Sequence, residues 1–176
     1  MNPAPPVTRI RTAETVAVLL ADVAEPSRLE VEVVKAVRAP VPPAFPRGVL
    51  RRAIEVPEIE ARLPPGGSSV AIRITGDAEL KRLNRVFAAH DAVTDVLSFA
   101  GEPPHLGDLA ISWPTVTRQA RAQGHPVETE LALLCVHGLL HLLGWDHVAA
   151  GQRREMTRLT RAALELSGQR VAPGRL

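Results

Sequence analysis

The stretch "CVHGLLHLLGWDH", residues 135–147, holds three of the chain's six histidines among residues that would otherwise suit a buried helix. His137 and His141 stand four positions apart, so on an α-helix they would lie one turn apart on the same face. Gly144 is expected to end that helix, because glycine adopts the left-handed turn at low cost. The chain can reverse there and bring His147 back towards the first two. The stretch therefore predicts a helix that ends at a three-histidine metal site.

Three neutral imidazoles are a ligand set typical of zinc, and they leave the fourth position of the ion open, as in catalytic sites. Such an ion acidifies water and polarises substrate oxygens. The alternative is three structural histidines in an apolar helix and its turn, which would leave several buried ring nitrogens to be satisfied. We therefore expect one divalent metal ion held by His137, His141 and His147.

The spacing of these histidines and of the glycine coincides with that of metzincin proteases, H-E-x-x-H-x-x-G-x-x-H. Those enzymes carry their general base, a glutamate, directly after the first histidine, where this chain has Gly138. A protease of that type would lack its proton acceptor. Asp146 is the nearby carboxylate, and we expect it to orient a histidine or to cap the next helix; a role as base stays open.

Length and composition favour a globular protein: 176 residues, 45% of them hydrophobic, are enough for one domain with a proper core. All but two of the 21 basic residues are arginine. Arginine binds phosphate well, but codon usage explains this bias equally, so charge alone does not identify a nucleic-acid partner. No apolar run approaches the roughly 18 residues of a membrane helix.

Cys135 is the sole cysteine, which excludes an intrachain disulfide and suits a reducing compartment, so we expect a cytoplasmic protein. Cys135 precedes His137 by two positions, and such residues point apart on a helix. We therefore expect Cys135 in the core rather than on the metal. The remaining histidines, His90, His105 and His125, fall in loop-like segments and are expected to be solvated.

Hydrophobic periodicity and turn residues divide the chain into alternating elements. Strands are predicted at 29–37, 69–75, 93–99 and 108–112. Helices are predicted at 47–63 with an interruption at Pro57, and at 76–88, 114–123, 126–144 and 151–166. Asp77 is expected to cap the second of these, and residues 39–46 and 101–107 are predicted loops. The fold class is therefore α/β (α+β): a single domain with a small mixed four-stranded sheet covered by about five to six helices.

The histidine stretch resembles the H-G-x-x-H-L-x-G-(aromatic)-D-H signature of the YbeY family of bacterial rRNA maturation factors. "TDVLSF" (94–99), "GDLAIS" (107–112) and "LN" (83–84) resemble further family segments in the right order. The resemblance covers about residues 70 to 165. Residues 28–170 would then form a YbeY-like metallohydrolase domain, and residues 1–27 a flexible N-terminal extension.

The resemblance implies a single-strand-specific, zinc-dependent endoribonuclease that matures the 3′ end of 16S rRNA and acts in late 70S ribosome quality control. It implies as partners single-stranded RNA, the 16S rRNA precursor, the small ribosomal subunit and ribosome-assembly proteins, and no membrane. It also carries the three metal ligands over to His137, His141 and His147.

One departure from the family concerns the arginine that usually follows the aromatic residue after "LN" and that is thought to face the substrate phosphate. Here Phe87 is followed by Ala88. Arg85, about one helical turn earlier, is the candidate phosphate contact, and His90 is a second possible substitute. Two other functions stay open: a non-catalytic zinc-binding ribosome-assembly factor, which the missing arginine favours, and a metalloprotease-like hydrolase, which Gly138 disfavours.

Overall fold

The computed structural model describes residues 28–88, 91–146 and 150–171. The predicted N-terminal extension, residues 1–27, lies outside these ranges. So do His90 and the third predicted metal ligand, His147.

The centre of the fold is a sheet of four strands, β1 (Leu29–Lys35), β2 (Ser68–Thr75), β3 (Val96–Ala100) and β4 (His105–Ser112). Their order in the sheet is β1-β2-β4-β3. β1 pairs with β2 and β2 with β4 in parallel, while β3 and β4 are antiparallel. The predicted mixed four-stranded sheet is therefore confirmed.

Six helices surround the sheet within the described ranges: α1 (Ala44–Ala53), α2 (Pro57–Glu60), α3 (Asp77–Ala88), α4 (Trp113–Gln123), α5 (Val127–Leu142) and α6 (Ala150–Leu166). The predicted interruption at Pro57 is confirmed, because this residue starts a new helix, α2. A proline at the first position of a helix loses no helical hydrogen bond. The prediction of a single α/β domain is confirmed. No helix in the described parts of the chain has the length and apolar character needed to cross a bilayer.

One face of the sheet forms the main core. Alternate residues of the strands, Val70, Ile72 and Ile74 on β2 with Leu109 and Ile111 on β4, are almost completely buried. α5 packs over β3 and β4 and is itself buried on nearly every side. The helices α1, α4 and α6 surround α5 in turn. This arrangement fixes α5, the helix that carries the histidine stretch, in the middle of the molecule.

Several predicted boundaries were wrong. β4 begins at His105 rather than 108, β3 begins at Val96 rather than 93, and α1 begins at Ala44, inside the segment expected to be a loop. Pro46 falls within the first turn of α1, where backbone N–H groups make no hydrogen bond inside the helix, so the proline costs none. A proline-rich composition therefore did not exclude a helix start.

The expectation that Asp77 caps its own helix was also wrong. Its carboxylate instead accepts hydrogen bonds from the hydroxyl of Ser112, the residue before α4. It also accepts from two residues of α4, the hydroxyl of Thr115 and Nη1 of Arg118, the latter at 2.8 Å. Asp77 thus ties the start of α3 to the start of α4.

Candidate metal centre

The helix α5 ends in the turn that the sequence predicted. Gly144 adopts a left-handed φ of 83°, and its N–H donates to the carbonyl of His141 at 3.0 Å. The N–H of Trp145 donates to the carbonyl of Leu140 at 2.9 Å. These two bonds form a Schellman motif, which satisfies the last carbonyls of the helix and turns the chain back. His147 follows three residues after Gly144.

His137 and His141 are brought together as expected. Their Nε2 atoms lie 3.2 Å apart, and their rings are nearly perpendicular, with centres 4.7 Å apart. Both side chains are half-buried. Zn–N bonds of 2.0–2.1 Å in a tetrahedron separate two nitrogen ligands by roughly 3.3 Å. The two imidazoles therefore already have the spacing of one edge of a zinc coordination shell.

The third ligand is the part of the prediction that stays untested. Within residues 28–88, 91–146 and 150–171, no cluster of three or more His, Cys, Asp or Glu side chains could hold a metal ion. His147 lies outside those ranges. The preceding residue, Asp146, is exposed. The described geometry thus supplies two converging imidazoles, and the sequence supplies the candidate third.

Gly138 allows α5 to lie close against the sheet. A Cβ built on this residue would come within 2.7 Å of Cδ2 of Leu109 on β4 and within 3.3 Å of Oγ of Ser98 on β3. Position 138 therefore faces the sheet, where a glutamate side chain has no room. The absence of a metzincin-type base at this position has a packing reason.

Arg62 holds the turn that follows α5, and the sequence gave no signal of it. Its guanidinium carbon lies 3.6 Å from the centre of the Trp145 ring, which is buried. Its Nη1 also donates to the carbonyl of Leu143 at 3.1 Å. Arg62 lies more than eighty positions earlier in the chain, so nothing local could have indicated this contact.

Two of the motifs found in the sequence organise the chain around the site. Asn84, of "LN", is buried and donates from Nδ2 to the carbonyl of Ala92 at 2.9 Å. Asp95, of "TDVLSF", accepts hydrogen bonds from the N–H of Val96 at 2.8 Å and from the amide of Gln119 at 3.0 Å. These residues hold the connection between α3 and β3, so their role in the structure is positioning.

Arg85, the candidate phosphate contact, is exposed on α3. No hydrogen bond or ion pair joins it to another residue in the described part of the chain. Its guanidinium is therefore available to a ligand, but the structure does not bring it into contact with His137 or His141. Its role stays a prediction. Phe87, two positions later, is also exposed and meets the Phe99 ring edge-on at 5.3 Å.

Two other predictions about titratable residues have different outcomes. Cys135 is fully buried, as expected, and burial raises the pKa of its thiol to about 12. The expectation that His125 is solvated was wrong: its side chain is only 6% exposed, and its Nε2 lies 2.6 Å from a carboxylate oxygen of the fully buried Glu130. His105 stands at the start of β4, 40% exposed, in contact with Ser69 and Asp108.

Comparison with known proteins shows which family the chain resembles. The model of the Endoribonuclease YbeY family matches residues 46–168. The chain is 50% identical over 117 residues to the Endoribonuclease YbeY of Gloeobacter violaceus, covering 60% of this chain and 59% of that protein. It is 43% identical over 131 residues to that of Picosynechococcus sp., covering 67% and 79%. The alignments with these two relatives thus span between 59% and 79% of the relatives' own length.

A solved structure supports the fold. The solution structure of a Thermotoga maritima protein superposes with a TM-score of 0.52 at 20% sequence identity, covering 83% of this chain and 99% of that one. At this identity the likeness concerns the fold alone. The family match, by contrast, includes the histidine stretch and the motifs that carry Asn84 and Asp95. The chain therefore belongs to the Endoribonuclease YbeY family.

Proposed function

We propose that this chain is a single-strand-specific endoribonuclease that uses one zinc ion held by His137, His141 and His147. The observation that carries the proposal is the 3.2 Å approach of the two Nε2 atoms at the end of α5. Membership of a family named for endoribonucleases supplies the reaction class.

The residues of this chain would prepare the site in two ways. α5 holds His137 and His141 one turn apart on a buried helix, so that little freedom is lost when an ion binds. The Schellman turn at Gly144 reverses the chain three residues before His147, the proposed third ligand. When bound, a divalent ion would supply Lewis-acid chemistry, polarising a phosphoryl oxygen and acidifying water.

The proposed contact with RNA is the guanidinium of Arg85. It is exposed on α3 and has no partner in the described residues. A guanidinium binds phosphate oxygens in a bidentate manner and would balance the charge that develops when a phosphodiester is cleaved. The role rests on its position one helical turn before Ala88, where the family usually has an arginine.

We extend the proposal to the biological substrate on the basis of the motif resemblance. The RNA would be the 16S rRNA precursor on the small ribosomal subunit, cleaved during 3′-end maturation and in late 70S quality control in the cytoplasm. Ribosome-assembly proteins would be further partners.

The test is metal content and RNA cleavage of the purified protein and of His137→Ala and His141→Ala, with His105→Ala as the matched control. His105 is a half-exposed histidine on β4 in the same chain. We expect one zinc ion per chain in wild type and His105→Ala. In the other two variants we expect loss of the ion and at least about a 100-fold loss of single-strand cleavage. A metal-free wild type, or equal cleavage by His137→Ala, would refute the proposal.

The second candidate function is a ribosome-assembly factor in which zinc only stabilises the C-terminal region, and Ala88 in place of the family arginine favours it. Chelation separates the two, because removal of a structural ion unfolds the region it holds. α5 is buried on nearly every side by apolar residues, so we expect it to keep its helical circular dichroism after chelation. Loss of that signal would favour the assembly factor.

A further inference from the structure

The exposed side of α6 carries a row of arginines. Arg154, Arg158 and Arg161 stand at positions i, i+4 and i+7, so they project from one side of the helix. All three are exposed, and they line an open groove of about 340 Å³ that follows α6. The buried residues of the helix are Met156, Leu159, Thr160, Ala163 and Leu164. The arginine row therefore faces away from the core.

Two of these three guanidinium groups have no acidic partner. Within the part of the chain that the structure describes, no hydrogen bond or ion pair involves Arg154 or Arg161. Arg158 pairs with Glu58 at 2.8 Å, but the two side chains are 55% and 46% exposed, so the pair is weak and a phosphate can replace the carboxylate. Glu165, one turn beyond Arg161, ends the row. Codon preference affects the number of arginines in a chain, but not their alignment on one side of a helix.

The arginine row starts near the metal end of the molecule. α5 and α6 pack against each other and are joined by residues 143–149. At the opposite end, Oγ1 of Thr129, in the first turn of α5, donates to Oε1 of Gln169, just beyond α6, at 2.7 Å. The two helices are therefore antiparallel. Arg154 lies about 6 Å along α6 from its first residue and Arg161 about 16 Å, so the row leads away from the histidine end of α5.

The chemistry of the arginine row fits a phosphate backbone. A guanidinium group binds phosphate oxygens in a bidentate manner and stays charged at any working pH. Arg154 and Arg161 are separated by about 10 Å along the helix axis. Phosphates of a stacked strand recur about every 3.4 Å, so the row spans about three successive phosphates. Contacts of this kind hold a strand in place without reading its base sequence.

An anionic membrane fits the arginine row less well. A helix that lies on a bilayer presents large apolar side chains beside its basic ones. The large apolar side chains of α6 are buried, apart from Leu166 in the last turn, which is 45% exposed. The surface therefore favours RNA over a lipid headgroup layer.

We propose that Arg154, Arg158 and Arg161 bind the phosphates of a single-stranded RNA that extends from the metal site along α6. This inference rests on the proposed function, because the nuclease substrate supplies the strand. The three arginines then bind and position nucleotides beyond the bond that is cleaved, and they take no part in the chemical step. They should matter for long substrates and not for an oligonucleotide that is short enough to cover the metal site alone.

The first test is binding of a fluorescent single-stranded RNA, measured by anisotropy over a range of salt concentrations. The His137→Ala background is used, in which the proposed cleavage does not consume the probe. Arg154→Gln/Arg161→Gln is compared with Arg38→Gln/Arg121→Gln, which removes the same charge from two exposed arginines on other elements.

We expect Arg154→Gln/Arg161→Gln to weaken RNA binding about tenfold. It should also lower the slope of log K against log salt by about 1.4, since each phosphate contact to a single strand contributes about 0.7. The control pair should change affinity by less than about twofold. Equal effects of the two pairs would overturn the proposal, because they would reflect net charge alone. Glu165→Gln should tighten binding by about twofold, a gain that misfolding does not produce.

Cleavage by chains with His137 intact separates this proposal from the nuclease proposal. Arg154→Gln/Arg161→Gln should raise KM for a long single strand about tenfold and leave cleavage of a short oligonucleotide unchanged. Unchanged KM in a chain that cleaves RNA would overturn the arginine row alone. Arginine-dependent binding without cleavage by the wild-type chain would support the row and refute the nuclease. Arginine-dependent binding to vesicles of anionic lipid, and not to RNA, would assign the row to a membrane and overturn the proposal.

Discussion

The guanidinium carbon of Arg62 lies 3.6 Å above the ring of Trp145. The contact joins the segment after α2 to the turn that follows the two histidines. Through Nη1, the same side chain also donates to the carbonyl of Leu143, the residue that follows α5. Arg62 therefore acts on the turn after His141, through Leu143 and Trp145.

Arg62→Ala should weaken the proposed metal site. Loss of the cation–π contact and of the hydrogen bond should lower the free energy of unfolding by about 1–2 kcal/mol. Zinc affinity should fall by roughly tenfold, as for other residues that orient a ligand segment. Arg62→Lys should restore part of the stability. Thermal melting and competition with a zinc indicator measure both effects, with Arg51→Ala, another exposed arginine, as control. An unchanged zinc affinity would show that Arg62 serves stability alone.

Gly138→Ala should destabilise the protein although alanine favours helices. The added methyl group would meet Leu109 at 2.7 Å in a fully buried interface, and such overpacking costs about 1–3 kcal/mol. Gly151→Ala in α6, where a Cβ meets nothing within 4 Å, is the matched control and should stabilise by up to about 1 kcal/mol. Urea unfolding compares the two. The packing explanation fails if both substitutions stabilise the protein. If it holds, adding Leu109→Val should restore part of the stability that Gly138→Ala removes.

Asp77→Asn should cost stability at neutral pH and cost little in acid. The hydrogen bond from Arg118, followed by those from Ser112 and Thr115, holds the pKa of the Asp77 carboxyl below its ordinary 3.8, although burial opposes this. Because the folded pKa is the lower one, the stabilisation is complete above about pH 4 and is lost as the pH falls through the folded value. We expect a loss of about 1–2 kcal/mol at pH 7.

Unfolding of Asp77→Asn measured from pH 7 to pH 2 checks this sign. Asp91→Asn, with a carboxylate 60% exposed, should change little at any pH. A difference between wild type and Asp77→Asn that grows in acid would contradict the assignment.

Ala88→Arg should increase RNA cleavage if the family arginine acts on the phosphate. We expect a gain of about tenfold or more in kcat/KM, since a cation placed at a developing charge contributes on that order. If Arg85 takes the place of the family arginine, Arg85→Ala should lower RNA cleavage by the wild-type protein. The same substitution should have no effect on cleavage by the Ala88→Arg variant. Cleavage that is insensitive to both substitutions would exclude position 88 and Arg85 from the reaction.

Sequence reasoning was strongest where a pattern is local. The i, i+4 spacing of His137 and His141 and the terminal Gly144 predicted the helix, its end and the converging imidazoles, because helical geometry alone determines them. The alternation in β2 likewise predicted a strand with one buried face. The boundaries of β4 and α1 were missed because prolines and glycines near them suggested loops, although the first turn of a helix and the start of a strand tolerate proline.

What the sequence could not give were contacts between distant segments. His125 and Glu130 are close in the sequence, but the burial of the pair depends on tertiary packing, which hydrophobic periodicity does not indicate. Arg62 against Trp145 and Asp77 against Arg118 join residues far apart in the chain. The sheet-facing position of Gly138 required the position of Leu109. For this reason the sequence indicated only that Gly138 replaces a glutamate base, and not that packing requires a glycine there.

The burial of α5 has a consequence for hydrogen exchange. A helix enclosed by the sheet and by three other helices opens only when the whole domain unfolds, so its amide protons should be among the slowest to exchange. The amides of His137 and His141 belong to that set, whereas those after Gly144 follow the end of the helix. Two of the three proposed ligands would then stand on a helix that is as long-lived as the fold itself.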